Sequence, residues 1–269
     1  TGLPMARIHL IGAPTDSNSS FLRGAATAPA HVRAALWSDA GNPATELGGT
    51  LGQEIALDDL GDLPLDESAA DDDRIAGATA AAARAGAVPI TIGGDHWITA
   101  PAVAGLAGVL GPVNILHFDA HPDLYDQLDG NRRSHASPFA RIMEAGHAVR
   151  LVQVGIRTLN DHCRAQAQRF GVEIVPTRDF HASLVPIPAA PLYVSIDLDG
   201  LDPAFAPGVA HHEPGGLSTR QLLDVLARIP GPIVGADVVE LNPPRDLNGV
   251  TAAVAAKLVK ELAAIAARG

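Results

Sequence analysis

Four short, largely apolar segments, at 88–92, 114–118, 192–196 and 233–239, each run into acidic or imidazole side chains. Segments of that length with bulky aliphatic residues fit strands covered on both faces, which is the condition of a parallel sheet. Further strands are expected at Arg7 to Gly12, Val149 to Val154 and Val172 to Val175. Helices are expected around Pro29 to Trp37, from Asp71 to Ala85 before Gly86, from Ile98 to Leu110, from Asp161 to Phe170 before Gly171, from Thr219 to Ala227 behind the N-cap Ser218, and from Thr251 to Ala267. This alternation predicts an α/β fold, a three-layer αβα arrangement with a mostly parallel central sheet, forming a single catalytic domain over residues 1–269. In such sheets the ligand crevice opens at the C-terminal strand ends, where the acids fall.

The central segment ends in Asp119-Ala120-His121-Pro122-Asp123. On an extended chain alternate residues share a face, so its three donors would address one site, and Asp197 and Asp199 would do the same after Ile196. Asp202, before Pro203, reads as a turn-stabilising carboxylate. Gly93-Gly94-Asp95-His96 closes the strand at 88–92; if that strand neighbours the central one, His96 joins the donors. His96, Asp119, His121, Asp123, Asp197 and Asp199 are too many for one tetrahedral zinc and include no thiolate. Carboxylates mixed with imidazoles suit two Mn²⁺ ions, with Ni²⁺, Fe²⁺, Co²⁺ and Zn²⁺ as competitors. Two such ions sharing carboxylates activate water near neutral pH, so the chemistry expected is hydrolysis.

Other segments frame this site. Asp126 to Ser134 reads as a loop, and the stretch Ser134 to Phe139 is expected to begin a helix, from Ser134, that runs through Met143. Glu240 is one more acid at a strand end. Adjacent side chains on an extended loop diverge, so His211 and His212 suit specificity contacts better than a shared metal. With 47% hydrophobic residues the chain can bury a sizeable core, and no apolar run reaches the roughly 18 residues of a membrane span. The N-terminus shows no signal-type core, and the lone Cys163 allows no internal disulfide; together these predict a reducing, cytoplasmic location. A net charge of −11 disfavours nucleic acid and anionic membranes and suits a cationic ligand. The run Asp71-Asp72-Asp73 reads as a solvated helix N-terminus.

GGDH at 93–96, DAHPD at 119–123, SIDLDGLDPAFAPG at 195–208 and GADVVELNP at 235–243 together resemble the ureohydrolases, the superfamily of arginases, agmatinases and other amidinohydrolases. The likeness spans almost the whole chain and is strongest to plant-type arginases and bacterial agmatinase-like proteins, through NSSFLRG at 18–24, DGNRRSHAS at 129–137 and HHEPGGLS at 211–218. The resemblance implies that Asp119 and Asp197 bridge two metal ions, that His96 and Asp123 complete one, and that His121 and Asp199 complete the other. It casts His135 as a proton shuttle to the leaving amine and Glu240 as the acid that pairs with a guanidinium. Asn131, Ser134 and Ser137 would either bind a substrate carboxylate or cap their loop. Asn160 stands where animal-type arginases hold an acid for the substrate amino group. Trp97 replaces the family's small serine, either packing at the helix start or narrowing the pocket.

The implied reaction is hydrolysis of the guanidino group of L-arginine to urea and L-ornithine, in a homo-oligomer that is hexameric or trimer-based. Agmatine or another guanidino compound is the alternative substrate. A two-metal phosphoesterase is disfavoured by the scarcity of basic residues near the motifs and by Glu240, which would repel phosphate. A non-catalytic partner subunit would be expected to have lost donors, and all six are present.

Overall fold

A computed structural model describes residues 7–268. The eight strands are β1 (Arg7–Ala13), β2 (Leu57–Asp62), β3 (Ala87–Gly93), β4 (Val113–Phe118), β5 (Ala148–Ile156), β6 (Glu173–Pro176), β7 (Leu192–Asp197) and β8 (Gly235–Val239). They form one sheet in the order β2-β1-β3-β8-β7-β4-β5-β6, and every pairing is parallel. Between them run α1 (Ala28–Leu36), α2 (Ala70–Arg84), α3 (Thr99–Leu110), α4 (Pro138–Glu144), α5 (Asp161–Phe170), α6 (Thr219–Leu226) and α7 (Val250–Ala266).

The three layers follow from strands that are apolar on both sides. Leu116 and Phe118 of β4 pack in one core with Val32 of α1, Leu226 of α6 and Leu262 of α7. Ile115, one residue away and pointing to the other face, packs with Val103 of α3, Phe139 of α4 and Ala167 of α5. Each of these β4 side chains is fully buried. α6 is fixed at its start by a capping box, Ser218 Oγ accepting from Gln221 N while the Gln221 side chain accepts from Ser218 N.

Several expectations are corrected. β2 is absent from the sequence reading: its acidic residues carry no apolar pattern because it is an edge strand, with Asp58 paired to Arg7 and Asp59 and Asp62 to Arg33. β3 does not neighbour β4; β8 and β7 lie between them. α4 starts only at Pro138, so Ser134 to Ser137 are turn and loop. The acids at the head of α2 are not simply solvated. Asp71 is buried and accepts from the backbone N–H groups of Asp66 and Glu67, and Asp72 accepts from Trp97 Nε1. No helix among the described residues is long and apolar enough to cross a membrane. The expectation about the N-terminus bears partly on residues 1–6, outside the described residues.

Candidate metal centre

β3, β8, β7 and β4 are consecutive in the sheet, and the segments leaving their C-terminal ends meet above it. Neighbouring strands lie about 4.8 Å apart, so β3 and β4 are separated by about 14 Å, and their donors can meet only through turns that reach over β8 and β7. Gly94 makes one such turn possible: a Cβ there would lie 1.7 Å from the Thr15 carbonyl oxygen. The next residue, Asp95, caps the short 3-10 turn His96–Ile98 by accepting from Trp97 N at 3.1 Å.

The strand alternation expected for the acidic donors is also corrected. β4 stops at Phe118, and Asp123 sits in left-handed backbone at φ 49°. β7 stops at Asp197, and a 3-10 turn over Leu198–Gly200 carries Asp199 back, with Asp197 Oδ1 accepting from Asp199 N at 2.8 Å. Convergence comes from tight turns.

Those turns place His96 Nδ1 2.9 Å from Asp123 Oδ2, 3.1 Å from Asp197 Oδ2 and 3.3 Å from Asp119 Oδ2. His121 Nδ1 lies 3.1 Å from Asp199 Oδ2 and 3.4 Å from Asp119 Oδ1. The donors thus fall into two groups, His96, Asp119, Asp123 and Asp197 in one, Asp119, His121 and Asp199 in the other. Asp119 belongs to both, one oxygen to each, as expected of a bridge; Asp197, expected to bridge as well, groups here with the first alone, its Oδ2 turned to His96 Nδ1. Asp197 and Asp199 are driven upward by burial first and by neighbouring carboxylates second, Asp199 to about 7. Cations in both groups would relieve that repulsion.

His96 Nδ1 is buried and has no partner in hydrogen-bonding geometry, although three carboxylate oxygens surround it. A lone pair aimed at clustered anions fits a divalent ion between them, so the residues suit the implied metals. The other ring nitrogen supports this orientation. Ser195 Oγ donates to Asp237 Oδ1 at 2.7 Å, which leaves its oxygen to accept from His96 Nε2–H at 3.0 Å. Asp237 is itself held by Thr99 Oγ1 at 2.8 Å and Tyr193 OH at 2.7 Å. Sequence reasoning missed this support, because a polar residue inside a strand gives no sign of its cross-strand partner.

His135 lies on the wall beside the donors. Its Nδ1 is 3.2 Å from Glu240 Oε1 and its Nε2 is 2.8 Å from Ser20 Oγ. Burial works against its charge, but the Glu240 carboxylate prevails and raises it to about 9. Burial likewise opposes the Glu240 charge, and His135 outweighs it, holding Glu240 below the ordinary carboxylate range. Glu240 is at φ 67°, and its Oε1 also accepts from His96 N at 2.9 Å. Asp95, unremarked within its motif, secures this wall: its Oδ2 accepts from Asn18 N at 2.8 Å, and Asn18 O accepts from His135 N at 3.1 Å.

A cavity of about 460 Å³ opens over the centre, lined among others by His121, Asp123, His135, Asn160, Asp199 and His211. Asn160 caps α5, accepting from Cys163 N at 2.9 Å and donating to Tyr125 OH at 2.5 Å, at the far wall. Asn131 is exposed and accepts from Arg133 N at 2.8 Å. Ser134 Oγ accepts from Ala136 N at 3.2 Å, and Ser137 is buried at the start of α4. The structure brings none of these three to the cavity wall. His211 lies 5.0 Å from the His135 ring, whereas His212 turns away to the Pro207 carbonyl at 2.6 Å. Trp97 packs in the core between α3 and α4, away from the cavity.

A parallel α/β sheet whose central strand ends carry two joined carboxylate and imidazole groups is the frame of a dinuclear metal-dependent hydrolase. The chain belongs to the arginase family, whose model matches residues 6–264, and so to the ureohydrolases. It is 49% identical to "Arginase 1, mitochondrial" of Arabidopsis thaliana over 96% of the chain and 81% of that relative. It is 48% identical to "Arginase 2, chloroplastic/mitochondrial" of the same plant, over 96% of the chain and 80% of the relative. The solved arginase from Medicago truncatula superposes with a TM-score of 0.90 at 43% identity, covering 97% of this chain and 88% of that one. The expected cytoplasmic location is corrected by these relatives, whose names place them in organelles. A single reduced thiol is compatible with any reducing compartment, so the cysteine count never discriminated among them.

Proposed function

We propose that the chain, as one catalytic domain, hydrolyses the guanidino group of L-arginine to urea and L-ornithine, with two Mn²⁺ ions per subunit in a trimer-based or hexameric homo-oligomer. The observation that carries this reading is the pair of donor groups joined through Asp119 at the floor of a cavity walled by His135, with Glu240 behind it. His96 and Asp123 with Asp119 and Asp197 would hold one ion, and His121 and Asp199 with Asp119 the other. When bound, the ions supply Lewis acidity and a water nucleophile available near neutral pH.

The chain's own groups do the rest. Both hydrogen bonds to Glu240 use Oε1, so Oε2 remains for one charge-assisted hydrogen bond from a guanidinium N–H. His135, held protonated near neutral pH, can pass its Nε2 proton to the departing amine and recover one through Ser20. Asn160 and Tyr125, which line the same cavity, would meet the tail of the substrate. Urea release from a panel of guanidino compounds, with Mn²⁺-loaded and Ni²⁺-loaded protein, tests the assignment. The expected result is turnover of L-arginine above agmatine; preference for agmatine would move the tail assignment, and no urea from any compound would end the reading.

A further inference from the structure

One residue layer below the donors, a polar row crosses the apolar sheet. Strand register pairs Gln153 of β5 with His117 of β4, His117 with Ser195 of β7, Ser195 with Asp237 of β8, and Asp237 with Thr91 of β3. All five side chains are buried at 0–1% exposure. The Ser195 and Asp237 part of the row orients His96. The Gln153 and His117 part has no role in the reaction described above.

Its hydrogen-bond directions follow from chemistry. The Pro122 carbonyl oxygen can only accept, so the Gln153 side-chain atom 2.6 Å from it must be the amide nitrogen. That same NH₂ group lies 3.0 Å from His117 Nδ1, so Nδ1 is the acceptor of its second hydrogen. The proton of the neutral ring is then on Nε2, which donates to Asp119 Oδ2 at 2.9 Å. The opposite amide orientation would set two oxygens against each other. The observed one is kept even though it leaves Gln153 Oε1 buried without a partner. Phe139 fixes the ring plane, with its centroid 4.0 Å from that of His117. His117 also lies in reach of His96 and Asp119 as if to form a third donor group, but a nitrogen that carries a hydrogen is no metal ligand.

We propose that Gln153 and His117 are positioning residues that hold Asp119 in the bridging orientation and, through Pro122, fix the turn that carries His121 and Asp123. This inference rests on the dinuclear reading. Without the Nε2–H donor, Asp119 is free to turn its Oδ2 out of the first group, and affinity for both ions falls together because the carboxylate is shared.

The test is titration calorimetry of Mn²⁺ into the metal-stripped full chain, with thermal melting of each metal-free variant alongside. In His117→Phe, which keeps the packing on Phe139, affinity should fall about 10-fold to 100-fold, the usual range for loss of a group that orients a metal ligand. His117→Gln, whose amide can put a donor near the Nε2 position, should recover most of the loss. Gln153→Met, which frees the ring to take the other tautomer, should weaken binding in the same direction. Wild-type affinity in both His117→Phe and Gln153→Met, or equal losses in His117→Phe and His117→Gln, would overturn the proposal. If His117→Phe does not fold, Gln153→Met against wild type decides it. A wild-type chain that takes up no Mn²⁺ overturns the dinuclear reading and the relay with it, whereas normal wild-type uptake with unchanged variants overturns the relay alone.

Discussion

His135 and Glu240 form a buried pair that holds no position among the metal donors, which allows proton handling to be separated from metal binding. His135→Asn should retain two metals per chain and lose about 10²-fold or more in turnover, the scale of removing a general acid; unchanged turnover across the pH range would remove His135 from the mechanism. Glu240→Gln keeps shape and loses charge. A charge-assisted hydrogen bond contributes roughly 1.5 to 3 kcal/mol, so catalytic efficiency should fall at least about tenfold at normal metal content; loss of metal instead would identify Glu240 as a support for His96. The pair also sets a pH dependence. His135 is raised from its ordinary 6.5 to about 9, so its contribution to stability is complete below 6.5 and lost as pH climbs through about 9. At the acid end the contribution fades only as Glu240, whose folded value is depressed, becomes protonated. In metal-free protein the melting-temperature gap between wild type and His135→Asn should therefore narrow between pH 6.5 and 9.5, and a constant gap would contradict the assignment.

At the scale of elements, the turns after β4 and β7 are packed backbone against backbone. A Cβ at Gly200 would lie 2.8 Å from Asp119 N and 3.0 Å from Asp119 Cα, with no flexible side chain to give way. Gly200→Ala should therefore displace Asp119, lowering stability by about 1 to 3 kcal/mol and reducing metal content by elemental analysis; a variant with full metal content would show that the two turns can separate freely. The same turns mark the limit of what the sequence disclosed. Bulky apolar runs such as Ile115-Leu116 revealed the buried strands, and Gly171 and Ser218 revealed helix ends, because those signals are local. The six donors were legible as residue types at strand ends. Their geometry was not, since Asp123 reaches the site through left-handed backbone and Asp199 through a 3-10 turn. The pairings of Ser195 with Asp237 and of His117 with Gln153 depend on strand order, which no single segment carries. β2 was missed because an acidic edge strand has no apolar face to show.

For the whole molecule, the sheet brings four acidic side chains, Asp119, Asp123, Asp197 and Asp199, into one buried volume with only two metal-facing imidazoles to offset them. Folding without ions therefore leaves anions crowded in a medium that solvates them poorly, and ions that bind the folded chain preferentially shift the equilibrium toward it. For each ion at about 100 times its dissociation constant the added stability is about 2.7 kcal/mol, so two give roughly 5 kcal/mol. A chain of this length shifts by about 2 °C or more per kcal/mol, which predicts that chelation lowers the melting temperature by on the order of 10 °C and that Mn²⁺ restores it. Asp119 serves both donor groups, so Asp119→Ala should abolish most of this metal-dependent shift along with hydrolysis. Asp197 joins only the first group in this geometry, so Asp197→Ala should abolish hydrolysis yet keep part of the shift, from the ion held by His121 and Asp199. Equal, complete loss in both variants would mean that Asp197 also bridges once ions are bound. A full shift in Asp119→Ala would mean that the ions are held elsewhere.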